Sequence, residues 1–73
     1  MITIVVGKSN VSVYISASLK FFGAGGVRDA ITNSDGNAYI DFDDFGESFP
    51  GEIYVSGEKV YNGEIEANGC YYV

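Results

Sequence analysis

Between Val11 and Leu19 the chain alternates without a break. Val11, Val13, Ile15, Ala17 and Leu19 fall on one side, and Ser12, Tyr14, Ser16 and Ser18 on the other. A period of two puts every apolar side chain on one face of an extended segment. It predicts a half-buried strand of an antiparallel sheet with a hydroxyl-rich outer face. The same pattern recurs in shorter pieces. Met1–Val6 reads as a strand that leaves through the turn Gly7-Lys8-Ser9-Asn10, and Val27–Thr32 as a third strand after Phe21-Phe22-Gly23-Ala24-Gly25-Gly26. The tetrapeptide Asn33-Ser34-Asp35-Gly36 carries the turn residues of a hairpin and leads into Asn37–Asp43. There Ala38, Ile40 and Phe42 are expected toward the core, with Tyr39, Asp41 and Asp43 toward solvent.

Asp44–Gly51 is the longest irregular stretch, expected to be pinned to the core by Phe45 and Phe49. Pro50-Gly51 then launches Glu52–Ser56. Ser56-Gly57-Glu58 turns into Lys59-Val60-Tyr61, and Asn62-Gly63 is expected to break or bulge that run. Glu64–Ala67 and Cys70–Val73 read as a last hairpin around Asn68-Gly69. No stretch repeats at a helical period. Short strands with turn signals every 8–12 residues predict a single all-β domain over residues 1–73, a small antiparallel β-sandwich of about seven short strands.

Composition sharpens this picture. Hydrophobic residues make up 47% of the chain and aromatic residues 15%, which is enough to build a core at this size. A chain of 73 residues still has little burial to set against conformational entropy, so oligomerisation is a natural expectation. Ten acids face four bases, a formal charge of −6, which disfavours direct contact with nucleic-acid phosphates or an anionic membrane and suits either solubility alone or pairing with a basic protein partner. The lone Cys70 excludes an internal disulfide and suits a reducing, cytoplasmic compartment, or a host cytoplasm for a phage-encoded chain. The N-terminus lacks the basic start of a signal peptide, and no apolar run approaches the ~20 residues of a membrane helix. A chain running from Met1 to a strand ending at Val73 suggests a free-standing small protein.

The missing residue types exclude most chemistry. Without His there is no imidazole base and no Ser-His-Asp or Cys-His arrangement; one Cys and no His make a poor zinc site. The expectation is a non-enzyme without cofactor. The glycine-rich stretch after Phe22 fails as a dinucleotide loop, because Arg28 stands at the sixth position and no helical pattern follows. Asp41, Asp43, Asp44, Glu47 and Glu52 are the one acidic constellation. As a calcium loop its spacing fails: with Gly36 at the invariant glycine, Ile31 takes the first ligand position and Phe42 the twelfth. As a glycosidase pair it lacks a cleft and a Trp platform. Its remaining readings are a solvated surface that discourages edge pairing, or a negative patch for a basic partner.

The six tyrosines form a second set. Tyr14, Tyr39 and Tyr54 fall at outward positions, while Tyr61, Tyr71 and Tyr72 take no assignable face. Tyrosine offers rigid contact area with one polar tip, so these residues serve either as cross-strand ladders or as an interface. The expected contact set is Tyr39, Asp41, Asp43, Asp44 and Glu47, with Tyr14 and Tyr54.

Thr32-Asn33-Ser34-Asp35-Gly36-Asn37-Ala38-Tyr39-Ile40-Asp41-Phe42 resembles the T-D-x-x-G turn and following strand of carboxypeptidase-regulatory-like, or transthyretin-like, β-sandwich modules, with Asn33 in place of the acid. Pro50-Gly51-Glu52-Ile53-Tyr54-Val55-Ser56-Gly57 resembles the P-G-x-Y-x-V strand that follows it there. The resemblance covers the middle third of the chain. It implies a seven-stranded Greek-key sandwich serving as an accessory, adhesion or scaffold module, with no catalytic residues. Two functions are therefore expected. The first is a non-catalytic protein–protein interaction or structural module, in an assembly or as a homo-oligomer. The alternative is an inhibitor or anti-defence protein, of the kind small phage genes encode, whose acidic face mimics nucleic acid and blocks a basic site on its target.

Overall fold

The computed structural model describes residues 1–17, 26–42 and 46–73. Among these residues the chain forms β1 (Ile2–Val5), β2 (Ser12–Ala17), β3 (Val27–Ile31), β4 (Asn37–Ile40), β5 (Ser48–Val55), β6 (Glu58–Glu66) and β7 (Cys70–Tyr72). Two sheets result, one ordered β4-β1-β7 and the other β3-β2-β5-β6. This is a small all-β sandwich. β4 returns to lie beside β1 while β2 and β3 pair in the opposite sheet, the Greek-key connectivity common to β-sandwiches. Every pair is antiparallel except β1 and β7, which run parallel. The expected continuation to Leu19, the glycine-rich connection before Gly26, and Asp43, Asp44 and Phe45 lie outside the described residues.

The alternation places its residues as expected. Val13, Ile15 and Ala17 of β2 are buried, as are Ala38, Ile40 and then Phe42 beyond β4. Ile2, Ile4, Phe49, Ile53 and Ile65 complete the layer between the sheets, where the Phe42 and Phe49 rings meet at 4.9 Å. Arg28 closes one side of this layer. Its Nη1 donates to the Asp41 carbonyl oxygen at 2.7 Å, and its guanidinium lies 4.7 Å from the centre of the Phe42 ring. One side chain thereby ties edge strand β3 to the chain leaving β4, and supplies a cation–π contact as well.

Two expected hairpins are corners between sheets. The turn Asn33–Gly36 closes locally: Asn33 Oδ1 accepts from the amides of Asp35 and Asn37, and the Gly36 amide donates to the Asn33 carbonyl. Its two strands nevertheless part, β3 to β2 and β4 to β1. Gly36 is fixed here twice over. Its φ is +82°, and a Cβ on it would stand 2.7 Å from the Gly7 backbone. Such an approach exists because the amides of Val6 and Gly7 both donate to the Gly36 carbonyl. Likewise the segment Ala67–Gly69 carries the chain from β6 in one sheet to β7 in the other, so the last two strands do not pair.

The third correction concerns β5 and β6. β5 begins at Ser48, so Phe49, Pro50 and Gly51 belong to the strand rather than to a loop. Pro50 is tolerated because its missing N–H turns toward β2, where the described ladder ends at the Ala17–Gly51 pair. β6 runs unbroken through Asn62 and Gly63, which pair in register with Glu52 and Gly51. The irregularity sits earlier: Ile53 pairs with Tyr61 and Tyr54 with Lys59, leaving Val60 as the extra residue. Ser56 and Gly57, with φ of 52° and 82°, form the two-residue turn whose twist suits a hairpin.

Thr32 is the one buried polar side chain among the described residues. Its hydroxyl donates to the Lys8 carbonyl at 2.6 Å and accepts from the Val11 amide at 2.9 Å. It thus clamps the loop between β1 and β2 from the far end of β3.

Candidate functional site

The sandwich presents two outer faces of opposite character. On the four-stranded sheet, register places Tyr14 beside Tyr54, and their rings stack at 4.5 Å with 10° between planes. The Tyr54 hydroxyl donates to Glu52 Oε1 at 3.0 Å, and Lys59 Nζ lies 2.8 Å from Glu52 Oε2. Lys59 and then Tyr54 hold the Glu52 carboxyl below its usual range. The same bonds raise Tyr54 and Lys59 above theirs, the hydrogen bond to Glu52 being the main cause in each. Glu52, Tyr54 and Lys59 thus satisfy one another within the face. Beside it Ser16, Ala17, Pro50, Gly51, Glu52 and Asn62 line an open depression of about 280 Å³.

The outer face of the three-stranded sheet is different. Thr3 lies between Tyr39 and Cys70, and Val5 between Asn37 and Tyr72. Because Ile2 and Ile4 point inward, Met1, Thr3 and Val5 share the outward side with these neighbours. Tyr39 is 49% exposed and Tyr72 80% exposed. Across the three strands this face carries no charged side chain; Asp41 stands just beyond the end of β4. In a chain that is 19% charged, three strands without a charged side chain and with two exposed tyrosines have the composition of an interface centre.

The expected contact set is therefore divided. Tyr39 belongs to the three-stranded sheet, with Asp41 just beyond its strand β4, and Tyr14 and Tyr54 belong to the four-stranded one. Glu47 sits before β5 at the end of the sandwich, where its carbonyl accepts from the Ala67 amide. Asp43 and Asp44 lie outside the described residues. Among the described residues no three acidic or cysteine side chains gather as a metal-binding group, and no helix is long and apolar enough to cross a membrane. Tyr72 and Val5 were not singled out from sequence. Val5 joins the Tyr39 face through the antiparallel β1–β4 pairing and Tyr72 through the parallel β1–β7 pairing, and neither pairing leaves a local signal in the chain.

Tyr61 and Tyr71 turn inward and meet at 5.2 Å. The Tyr61 hydroxyl donates to the Glu64 carbonyl at 2.8 Å, and the Glu66 amide donates to the Tyr71 hydroxyl at 2.7 Å. Burial is the main cause that raises Tyr71 above the usual tyrosine range. No protein-family model, curated protein or solved structure matches this chain.

Proposed function

We propose that this protein is a non-catalytic β-sandwich that acts by protein–protein contact through the outer face of its three-stranded sheet. The observation that carries this reading is the outward row of Val5, Tyr39 and Tyr72 on three strands that hold no charged side chain. Exposed tyrosines on a rigid sheet give large contact area at small entropic cost, and Asp41 at the border suits a polar rim. The Greek-key strand order also supports kinship with the transthyretin-like scaffold modules that the Thr32–Phe42 and Pro50–Gly57 segments resemble.

Charge mimicry draws less support, because the Glu52 carboxylate on the outer face is already paired with Lys59 and Tyr54. Affinity capture from the source cells, using matched variants, separates the two readings. A partner retained by wild type and by Tyr14→Ser, yet lost from Tyr39→Ser/Tyr72→Ser, is the expected result. Capture unaffected by the double substitution but abolished by moderate salt would favour mimicry instead.

A further inference from the structure

The sandwich has four sheet edges, and it treats the two edges of the larger sheet differently. On β6, the Ala67 amide bonded to the Glu47 carbonyl sets the phase of the ladder, which turns the backbone groups of Glu64 and Glu66 outward. Three of those groups are capped, the Glu66 carbonyl by the Gly69 amide. Tyr61 donates to the Glu64 carbonyl, the Glu66 amide donates to Tyr71, and the bulge at Val60 twists the strand further along. With Glu58, Glu64 and Glu66 along its length, this edge carries the usual devices against strand addition.

The edge of β3 carries almost none. Ala17 donating to Gly26 and Thr32 donating to Val11 fix those as the hydrogen-bonded pairs, so Arg28 and Ala30 turn their backbones toward β2. Val27, Asp29 and Ile31 turn theirs outward, and among the described residues no side chain bonds them. The same three residues put their side chains on the outer face. Val27 is 61% exposed and Ile31 67% exposed, with the Asp29 carboxylate midway between them.

We propose that β3 is a strand-addition site for an extended segment of another protein with the pattern apolar-x-(Lys or Arg)-x-apolar. Main-chain hydrogen bonds to Val27, Asp29 and Ile31 would hold the segment. Its alternate side chains would meet the outward row, apolar against Val27 and Ile31 and the cation against Asp29. The pattern is palindromic, so it fits in either strand direction. Asp29 forms no ion pair among the described residues, and the chain's net charge of −6 favours a cationic visitor. A second copy fits poorly. The two-fold antiparallel register that sets Val27 against Ile31 of the other copy also sets the two Asp29 carboxylates face to face, which destabilises such a pair. This edge belongs to the opposite sheet from the Tyr39–Tyr72 face, so either surface can fail its test without the other.

The test uses the whole isotopically labelled protein and an end-blocked heptapeptide, Thr-Val-Thr-Lys-Thr-Val-Thr, followed by amide chemical shifts and hydrogen exchange. The expected result is slowed exchange of the Val27, Asp29 and Ile31 amides on peptide addition. A peptide with Glu replacing Lys should bind on the order of tenfold more weakly, and Asp29→Lys should reverse that preference. Equal binding of the two peptides would overturn the proposal, as would shifts confined to other strands or no binding at millimolar peptide. So would concentration-dependent protection of the β3 amides without peptide, which assigns the edge to a second copy.

Discussion

Thr32→Val replaces a hydroxyl with a methyl of nearly the same size and so isolates the clamp from the packing. The Thr32 oxygen serves the Lys8 carbonyl at 2.6 Å and the Val11 amide at 2.9 Å from an almost fully buried position. Losing two hydrogen bonds costs about 0.5–1.5 kcal/mol each, and stranding the half-buried Val11 amide adds to that, for a total of about 2–4 kcal/mol. A domain of 73 residues has a total stability of roughly 4–11 kcal/mol, so the substitution removes a large fraction of it. In thermal terms the loss is roughly 10–30 °C in Tm. Urea unfolding at 25 °C, followed by circular dichroism, measures the difference, with the slope checked for constancy between variants. Thr32→Ser keeps the oxygen and forfeits only a methyl, about 1 kcal/mol. The clamp argument fails if Thr32→Val stays within about 0.5 kcal/mol of wild type, or if Ser is as damaging as Val.

Other consequences follow from the same geometry. Gly36→Ala combines left-handed backbone strain with a clash against Gly7 and should cost about 2–4 kcal/mol. Gly7→Ala, at φ +87° with open space around it, should cost only about 1–2 kcal/mol, so equal melting temperatures would refute the close approach. Arg28→Met should lose about 1–2 kcal/mol through the Asp41 bond and the Phe42 ring contact, read by the same unfolding assay; a neutral result removes its closing role. Titration gives a signed prediction at each end of the pH scale. Glu52 is depressed, so the stability it contributes is present above the ordinary carboxylate pKa and is lost as pH falls through its folded value. Tyr71 is raised by burial, so its contribution is present below the ordinary tyrosine value and is lost as pH climbs toward the folded one. Carboxyl-carbon NMR for Glu52 and ring-carbon NMR for Tyr71, with Glu52→Gln and Tyr71→Phe as assignments, check both, and free-amino-acid values at these two residues would contradict the contacts.

The sequence made burial legible more readily than neighbourhood. Val13, Ile15 and Ala17, and again Ala38, Ile40 and Phe42, are buried because period two determines which side chains share a face. It does not determine which strand lies alongside. The Asn33–Gly36 turn has the residues and internal bonds of a hairpin, yet whether its strands stay together depends on partners far away in the chain, Val11 for Thr32 and Val6 for Gly36. Phe49, Gly51 and Ile53 do alternate, but Pro50-Gly51 masked that alternation as a turn signal. Gly63 looked like a breaker, though in the sheet it sits opposite Gly51, where the Tyr61 hydroxyl lies 3.3 Å from the place a Cβ would occupy. The candidate surface was half visible for the same reason. Tyr39 followed from alternation alone, whereas Tyr72 joined it only through a parallel pairing between the two ends of the chain.

The most direct test of the interaction reading is calorimetric titration of the captured partner against matched double variants. Each is first shown to unfold like wild type. Tyr39→Ser/Tyr72→Ser removes the two exposed rings of the three-stranded face, and Tyr14→Ser/Tyr54→Ser removes the stacked pair of the other. Losing two aromatic anchors from an interface centre should weaken binding by about 2–4 kcal/mol, a 30-fold to 1000-fold rise in Kd on the order-of-magnitude scale for such residues. The second variant should bind within about threefold of wild type. The reverse pattern, with affinity lost at Tyr14 and Tyr54 and kept at Tyr39 and Tyr72, would contradict the account.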